Sequence, residues 1–509
     1  MEYSKELEKY CSELLNLSTG KMTENEFKDY VFGSLFLMYL SDNLESFLNK
    51  ELENDELTFK EAWEDEDFRD DLIDESLESL GYFISPELLF SSIISKVRNN
   101  EDILEDIQDA LEEFNNSIQG LESAEDFENI FENYNLSSLK LGDKSEEKNQ
   151  KLSELFFKLS NFKKLFPNYD ISHLFDYLLQ YFAIHSHEKV YDIYTPSYLV
   201  KLMAKLVTSD NKILNSVYDP TCGSASLLLG VREEASKIND FYGQEVNQSY
   251  YNLARMNMTI HGIPFDDFNI EQGDTLENPK HENMKFDAIV SHVPSVKWSA
   301  NEKFLHEDRF SAWGKIPPKS KADFAFIQHM IYHLKESGTM VTLIHNGVLF
   351  RKYEKDFRKY IIEVKNLLDA VILLPQNLYF DQSAQSLILV FKKSRLDDDK
   401  ILFINATEFF ESKGSAYELN EENINKIFDL YINRKDIDGY SYNASIDEIR
   451  KNDYILSVSR YIDYYDYFVP DTDLEGICED LKSLSREIDA IDEDIKRYCE
   501  RFGIDAPIF

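Results

Sequence analysis

A chain of 509 residues, 43% hydrophobic and 14% aromatic, is too long for one compact core and too apolar for general disorder, so two or three domains are expected. Its 95 Asp and Glu against 54 Lys and Arg give a net charge of −41, which repels bare DNA over most of the surface; nucleic-acid contact must be local, or made through a less acidic partner. No apolar run approaches the roughly 20 residues of a membrane span, the start Met1–Glu6 lacks a secretory pattern, and four scattered cysteines (Cys11, Cys222, Cys478, Cys499) without a CxxC pair exclude a disulfide frame and a metal site, pointing to free thiols in the cytoplasm.

Residues 1–165 read as an α-helical domain. Phe32, Leu35, Phe36, Tyr39, Leu40 and Leu44 recur at helical spacing and give one buried face. The acidic block 51–80, with Glu64–Asp67 and Asp70-Asp71, is interrupted by Leu72, Ile73, Leu77 and Leu80, which predicts helices with a solvated acidic face.

From 166 to 400 the texture becomes α/β. Val217-Tyr218, Phe241–Gly243, Phe286–Val290, Met340–Ile344, Ala370–Leu374 and Leu387–Phe391 are strand candidates, with amphipathic helices at 247–261, 322–335 and 350–363. Such alternation predicts an open, mostly parallel sheet that binds ligands at the carboxyl ends of its strands. Residues 401–470 form a mixed, polar C-terminal extension. In 471–509, Leu474, Ile477, Leu481, Leu484, Ile488, Ile491, Ile495 and Tyr498 step by threes and fours. That heptad seam predicts a coiled-coil-type helix, paired with another chain or folded back on its own.

The chemistry concentrates at three strand ends. Tyr218-Asp219-Pro220-Thr221-Cys222-Gly223-Ser224-Ala225-Ser226 follows a strand and precedes a helix, so its small-residue turn brings backbone N–H groups and a helix N-terminus close to a ligand. Gly243-Gln244-Glu245 ends the next strand with an acid, the place where such sheets bind a ribose hydroxyl. Gly273-Asp274 closes a third, where a carboxylate can meet the exocyclic amine of an adenine ring. Each piece alone is an ordinary turn; the ordered set predicts a nucleoside cofactor site.

These motifs resemble the S-adenosyl-L-methionine site of the modification (M) subunits of type I restriction–modification systems, which are adenine-N6 DNA methyltransferases. The resemblance runs nearly end to end, through Tyr30–Glu45, Leu139–Gly142, Asn149–Leu152, Pro317–Asp323, Asn346–Arg351, Leu374-Pro375, Asn452–Tyr454, Arg460-Tyr461 and Asp463. It implies a Rossmann-like methyltransferase domain between the helical domain and the C-terminal helix. It also implies a specificity subunit bound through that helix, a restriction (endonuclease) subunit as a further partner, and DNA engaged through the complex. The segment Asp192-Ile193-Tyr194-Thr195-Pro196-Ser197 is similar to the family's cofactor loop, with Tyr191 and Asp192 where the family has Gly and Glu. Asp219, Gly223, Ser224, Ala225, Ser226, Glu245 and Asp274 complete the implied cofactor-binding set.

The pattern breaks where the base would be held. The family's Asn-Pro-Pro-aromatic tetrapeptide holds a flipped adenine: the Asn amide and a proline carbonyl accept the N6 hydrogens while the ring stacks on the base. Here His292, Val293, Pro294 and Ser295 stand in its place. An imidazole acceptor sits differently from an amide oxygen, and serine has no π face; Trp298 either stacks instead or keeps a packing role. The glycine-rich turn has drifted to Ser224-Ala225-Ser226, and the family's Ile-Pro-Thr block reads Ala384-Gln385-Ser386. Three readings follow: an active adenine-N6 methyltransferase subunit, a non-catalytic scaffold assembling with or titrating restriction–modification subunits, or an acidic inhibitor occupying a DNA-binding channel.

Overall fold

The computed structural model describes residues 5–18, 22–185, 194–378, 385–396, 400–413 and 416–463, with five helical positions (488, 491, 495, 497 and 499) further on. Residues 1–462 form one compact unit and 463–509 another.

The helical domain is built round the 28-residue helix Glu24–Glu51, which starts at a capping box between Thr23 and Glu26. Val31–Met38 of this helix are buried on every side, the signature of a central rather than a surface helix. Helices Phe90–Arg98, Leu104–Ser117, Ser145–Ser160 and Ile171–His185 add their apolar faces to the same core. The acidic block folds into the helices Phe59–Trp63 and Glu66–Ser79, which bury Phe59, Ala62 and Leu72 and leave most acids outside.

Among the described residues eleven strands follow: β1 Ile213–Asp219, β2 Lys237–Glu245, β3 Phe268–Gln272, β4 Phe286–His292, β5 Leu334–His345, β6 Leu368–Leu373, β7 Ser386–Lys392, β8 Ile401–Asn405, β9 Glu411–Lys413, β10 Ala416–Glu418 and β11 Ser441–Ala444. Nine form one sheet in the order β11-β8-β6-β7-β5-β4-β1-β2-β3, and β9 and β10 pair antiparallel in a second, two-stranded sheet. The strands from β3 to β5 are parallel, whereas β7 runs antiparallel between β5 and β6. β4, β6, β7, β8 and the second half of β5 are almost wholly buried, which is why they read as apolar runs.

The boundary expected at 400 falls inside this sheet. β8 pairs parallel with β6, and β11 pairs antiparallel with β8. Asp369, buried in β6, accepts from Arg395 (2.5 Å), Arg434 (3.0 Å) and Tyr431 (3.0 Å), so the later segment is fastened to the sheet by a buried ionic hub.

Helix Gln248–Ile260 joins the two cores. Leu253, Met256 and Ile260 pack into the helical domain, while Ala254 and Met258 pack with the sheet. Its fully buried Arg255 donates to the carbonyls of Asp126 (2.9 Å) and Glu128 (3.0 Å).

Candidate active site

The carboxyl ends of β1, β2 and β3 lie side by side, with Asp219 registered against Gly243 and Glu245 against Gln272. Loop contacts stitch them together: Gly223 N donates to Glu245 Oε2 (3.0 Å), Gly273 N to Glu245 O (2.9 Å) and Thr275 Oγ1 to Pro220 O (2.5 Å). Asp219, Glu245 and Asp274 thus stand at or just past the ends of three neighbouring strands.

They are not equivalent. Asp219 is fully buried; Oδ1 accepts from Thr221 N (3.0 Å), and Oδ2 has no hydrogen-bond partner. Burial pushes its carboxyl up to about 8, with the Glu245 charge adding to the rise and the Thr221 N–H opposing it. Glu245 is also raised by burial, against backbone N–H bonds from Asn247 and Gly223. Asp274 is exposed and caps its own turn through Leu276 N (2.9 Å) and Glu277 N (3.2 Å).

Between β1 and helix Ser226–Glu234 the chain turns through two left-handed residues, Gly223 (φ 53°) and Ala225 (φ 63°). Ala225 is fully buried and packs with the apolar residues of the sheet. Ser224 and Ser226 bond each other through their hydroxyls (2.9 Å), and Asn257 holds the Ser224 carbonyl (2.7 Å). A buried carboxylate oxygen left unpaired, beside a second desolvated acid and a tight turn at a helix start, fits a nucleoside cofactor bearing hydroxyls and positive charge.

Asp192 and Ile193 lie outside the described residues, as does Ala384. Of the rest of that loop, Tyr194 is half-buried, Thr195 buried, Pro196 the cap of helix Ser197–Val207, and Ser197 exposed. Thr195 Oγ1 shares a 3.2 Å hydrogen bond with His292 Nδ1, joining this loop to the last residue of β4. Burial lowers the His292 imidazole to about 4, so it is neutral at neutral pH. Thr221 Oγ1 bonds the His292 carbonyl (3.2 Å) and Ser291 Oγ (2.8 Å), linking the cofactor turn to the same point.

After His292 the backbone leaves the sheet: Val293 is buried with its N–H on Leu343 O (3.0 Å), Pro294 is half-buried, and exposed Ser295 accepts from Lys321 Nζ (2.7 Å). Trp298 is packed against Phe304 (5.1 Å) and Phe310 (5.9 Å), with its indole N–H on Pro318 O (3.1 Å). It therefore keeps the packing role, not the stacking one. Gln385 Nε2 donates to Leu374 O (3.0 Å), a bond within the sheet margin.

Sequence reasoning missed Arg309. Its buried guanidinium donates to Thr275 O (3.0 Å), Leu276 O (2.9 Å), Glu307 (2.6 Å) and His329 Nδ1 (3.0 Å), clamping the turn that carries Asp274. Nothing in local periodicity marks an arginine as buried, and no sequence signal reveals this clamp.

An open sheet ordered 3-2-1-4-5-7-6 from one edge, with one antiparallel strand and acids at three adjacent parallel ends, defines a Rossmann-like methyltransferase fold. The comparisons agree. Residues 168–467 match the family model described as N-6 DNA Methylase, and residues 6–159 match that of the HsdM N-terminal domain. The chain is 32% identical to the type I restriction enzyme MpnII methylase subunit of Mycoplasma pneumoniae over 96% of both chains. It is 33% identical to the MjaVII methylase subunit of Methanocaldococcus jannaschii over 65% of this chain and 60% of that one. The solved type I restriction-modification system methyltransferase subunit from Streptococcus thermophilus, also 32% identical, superposes with a TM-score of 0.82 over 90% of this chain and 99% of that one. This chain belongs to the N-6 DNA methylase family, among the methylase subunits of type I restriction enzymes.

Proposed function

We propose that this methylase subunit binds S-adenosyl-L-methionine at the ends of β1–β3 but transfers methyl groups to adenine N6 only very weakly. Bound there, the cofactor would supply an activated methyl group; Asp219, Glu245 and the 223–226 turn would hold it, with Asp274 and Thr195 at its margins. The observation that carries the second half is the hydrogen bond between His292 and Thr195. If Thr195 donates, the proton of the neutral imidazole sits on Nε2, so neither ring nitrogen can accept from an amine. If His292 donates, one ring nitrogen remains to accept, displaced from where an amide oxygen would lie. A backbone carbonyl survives any side-chain change, so the losses are the amide oxygen and the aromatic face at 295. The test is a radiolabelled methyl-transfer assay on unmodified DNA with the co-expressed specificity subunit and no other modification subunit. Cofactor binding without transfer is the expected outcome, and robust N6-methyladenine would overturn the reading.

The chain works in the cytoplasm within a restriction–modification complex, docking its C-terminal helix on a specificity subunit and meeting DNA and a restriction subunit through that assembly. Most of the heptad seam lies outside the described residues, but Ile488 and Ile491 are helical and each 58% exposed, which supports an apolar seam awaiting a partner. Deleting residues 471–509 should abolish co-purification with the specificity subunit; unchanged co-purification would refute this docking.

A further inference from the structure

The acid of this chain is unevenly distributed. Residues 297–365 carry 13 Lys and Arg against 8 Asp and Glu, a net of +5 in a chain of net −41. The fold gathers parts of this stretch beside the end of β4. Trp298 N donates to Lys319 O (3.0 Å) and Lys321 Nζ to Ser295 Oγ (2.7 Å), which lays segment 315–321 along the tetrapeptide. Arg351 pairs with Asp323 (3.2 Å) and Lys315 with Asp356 (2.7 Å), which joins residues 351–359 to the same strip.

Several of these cations are engaged internally. Arg351 faces Asp323 and Glu354, Lys355 pairs with Asp453, and Arg358 is buried on backbone carbonyls. Among the described residues, Lys297, Lys319, Lys321 and Lys352 form no salt bridge; Lys321 is half-buried, bonded to Ser295 and near enough to Glu354 to lower its carboxyl against the rise that burial imposes, and the other three are exposed. Beside Lys352, Phe350 and Tyr353 are 49% and 45% exposed. Lysines outside salt bridges, one of them flanked by two exposed aromatic rings, suit a polyanion that also offers flat faces.

We propose that this strip is the chain's own contact with DNA: Lys297, Lys319, Lys321 and Lys352 take backbone phosphates around the end of β4, and Phe350 and Tyr353 stack on unpaired bases. The inference rests on the reading that the chain acts on DNA, and adds which surface meets it.

The test uses the full chain and a short fluorescent DNA duplex, with affinity followed by anisotropy as salt is raised. Each phosphate contact contributes about 0.9 to the log–log salt slope, so K297Q/K319Q/K321Q/K352Q together should lower it by about 3 to 4. A control set at ion-paired lysines elsewhere, K163Q/K201Q/K426Q, should leave it unchanged. F350S/Y353S should weaken single-stranded DNA binding about tenfold without altering heparin binding. Absence of salt-dependent DNA binding by the natural chain, or a natural slope in the four-lysine variant, overturns the proposal. Equal loss of DNA and heparin binding in the aromatic variant overturns the stacking half. Circular dichroism and cofactor binding verify that the variants fold. Binding needs no methyl transfer, so an inactive chain with the expected slope supports the strip, and an active chain with an unchanged slope refutes the strip alone.

Discussion

The two halves of the site have fared differently. At the ends of β1–β3 the groups that would hold a cofactor remain, including a buried Asp219 with one oxygen unpaired and a Glu245 bonded to Gly223 and Asn247. At the end of β4, the backbone stays in register against β5 while His292 and Ser295 stand where the family's pattern has an amide and an aromatic ring. A strand is kept by burial, which many apolar residues satisfy; a base pocket is kept by one acceptor and one ring. On the proposed function, fold and cofactor edge outlast the target edge, and mutation tests the difference between them.

The largest effect is expected from repair. Restoring the tetrapeptide as H292N/V293P/S295F should raise methyl transfer at least about 10²-fold, because one well-placed transition-state hydrogen bond commonly accounts for 10²–10³ in rate. Unchanged transfer with normal cofactor binding would move the defect to Gln385 and its neighbours or to DNA engagement.

Next in size is the Arg309 clamp. Arg309→Gln leaves the Thr275 and Leu276 carbonyls poorly met and should cost on the order of 3 kcal/mol of stability in chemical denaturation. Because those carbonyls follow Asp274, cofactor affinity measured by calorimetry should fall too. A variant of natural stability and affinity would show the clamp to be incidental.

Asp219→Asn comes third, with cofactor affinity falling by roughly 10- to 100-fold as a charge-assisted bond is lost. The pH dependence carries a sign. The Asp219 carboxyl titrates near about 8 when folded, above its ordinary value of 3.8, so the folded chain holds a proton that the unfolded chain has shed between those limits. Its contribution to stability therefore falls as pH rises through that window. A ligand that bonds the ionised form should bind more tightly as pH rises towards 8. Both trends should vanish in the Asn variant; their persistence would place the titration elsewhere.

Legibility followed the same physics as this asymmetry. Strand runs, the strand–turn–helix at 218–226 and the acids at 245 and 274 could be read because burial and turn geometry impose local patterns. The reversed direction of β7 could not, since a buried strand carries the same run whichever way it points. Nor could the membership of β8 and β11 in the sheet, which depends on the buried hub at Asp369 rather than on their neighbours in sequence. Arg255 and Arg309 look like surface residues until the carbonyls they bind are brought together by the fold. The degeneracy at 292–295 was visible as a missing motif, whereas the link from His292 to Thr195 spans 97 positions and needed coordinates.

The smallest expected effect lies at Ala225, and its smallness is informative. An L-residue in the left-handed region costs about 1–2 kcal/mol, which glycine would relieve. Glycine would also give up a fully buried methyl group, about 0.8 kcal/mol, and loosen the unfolded chain by a further 0.4–1 kcal/mol. The terms nearly cancel, so Ala225→Gly should change stability by less than about 0.5 kcal/mol in chemical denaturation. It should leave cofactor affinity within about twofold, since the methyl group points into the sheet's apolar cluster. The drift from glycine in this turn is then close to neutral, unlike the changes at 292–295, and Ala225→Gly should add nothing measurable to transfer in the repaired tetrapeptide background. A tenfold gain in cofactor affinity would show instead that the turn is damaged as well, and that both edges of the site have decayed together.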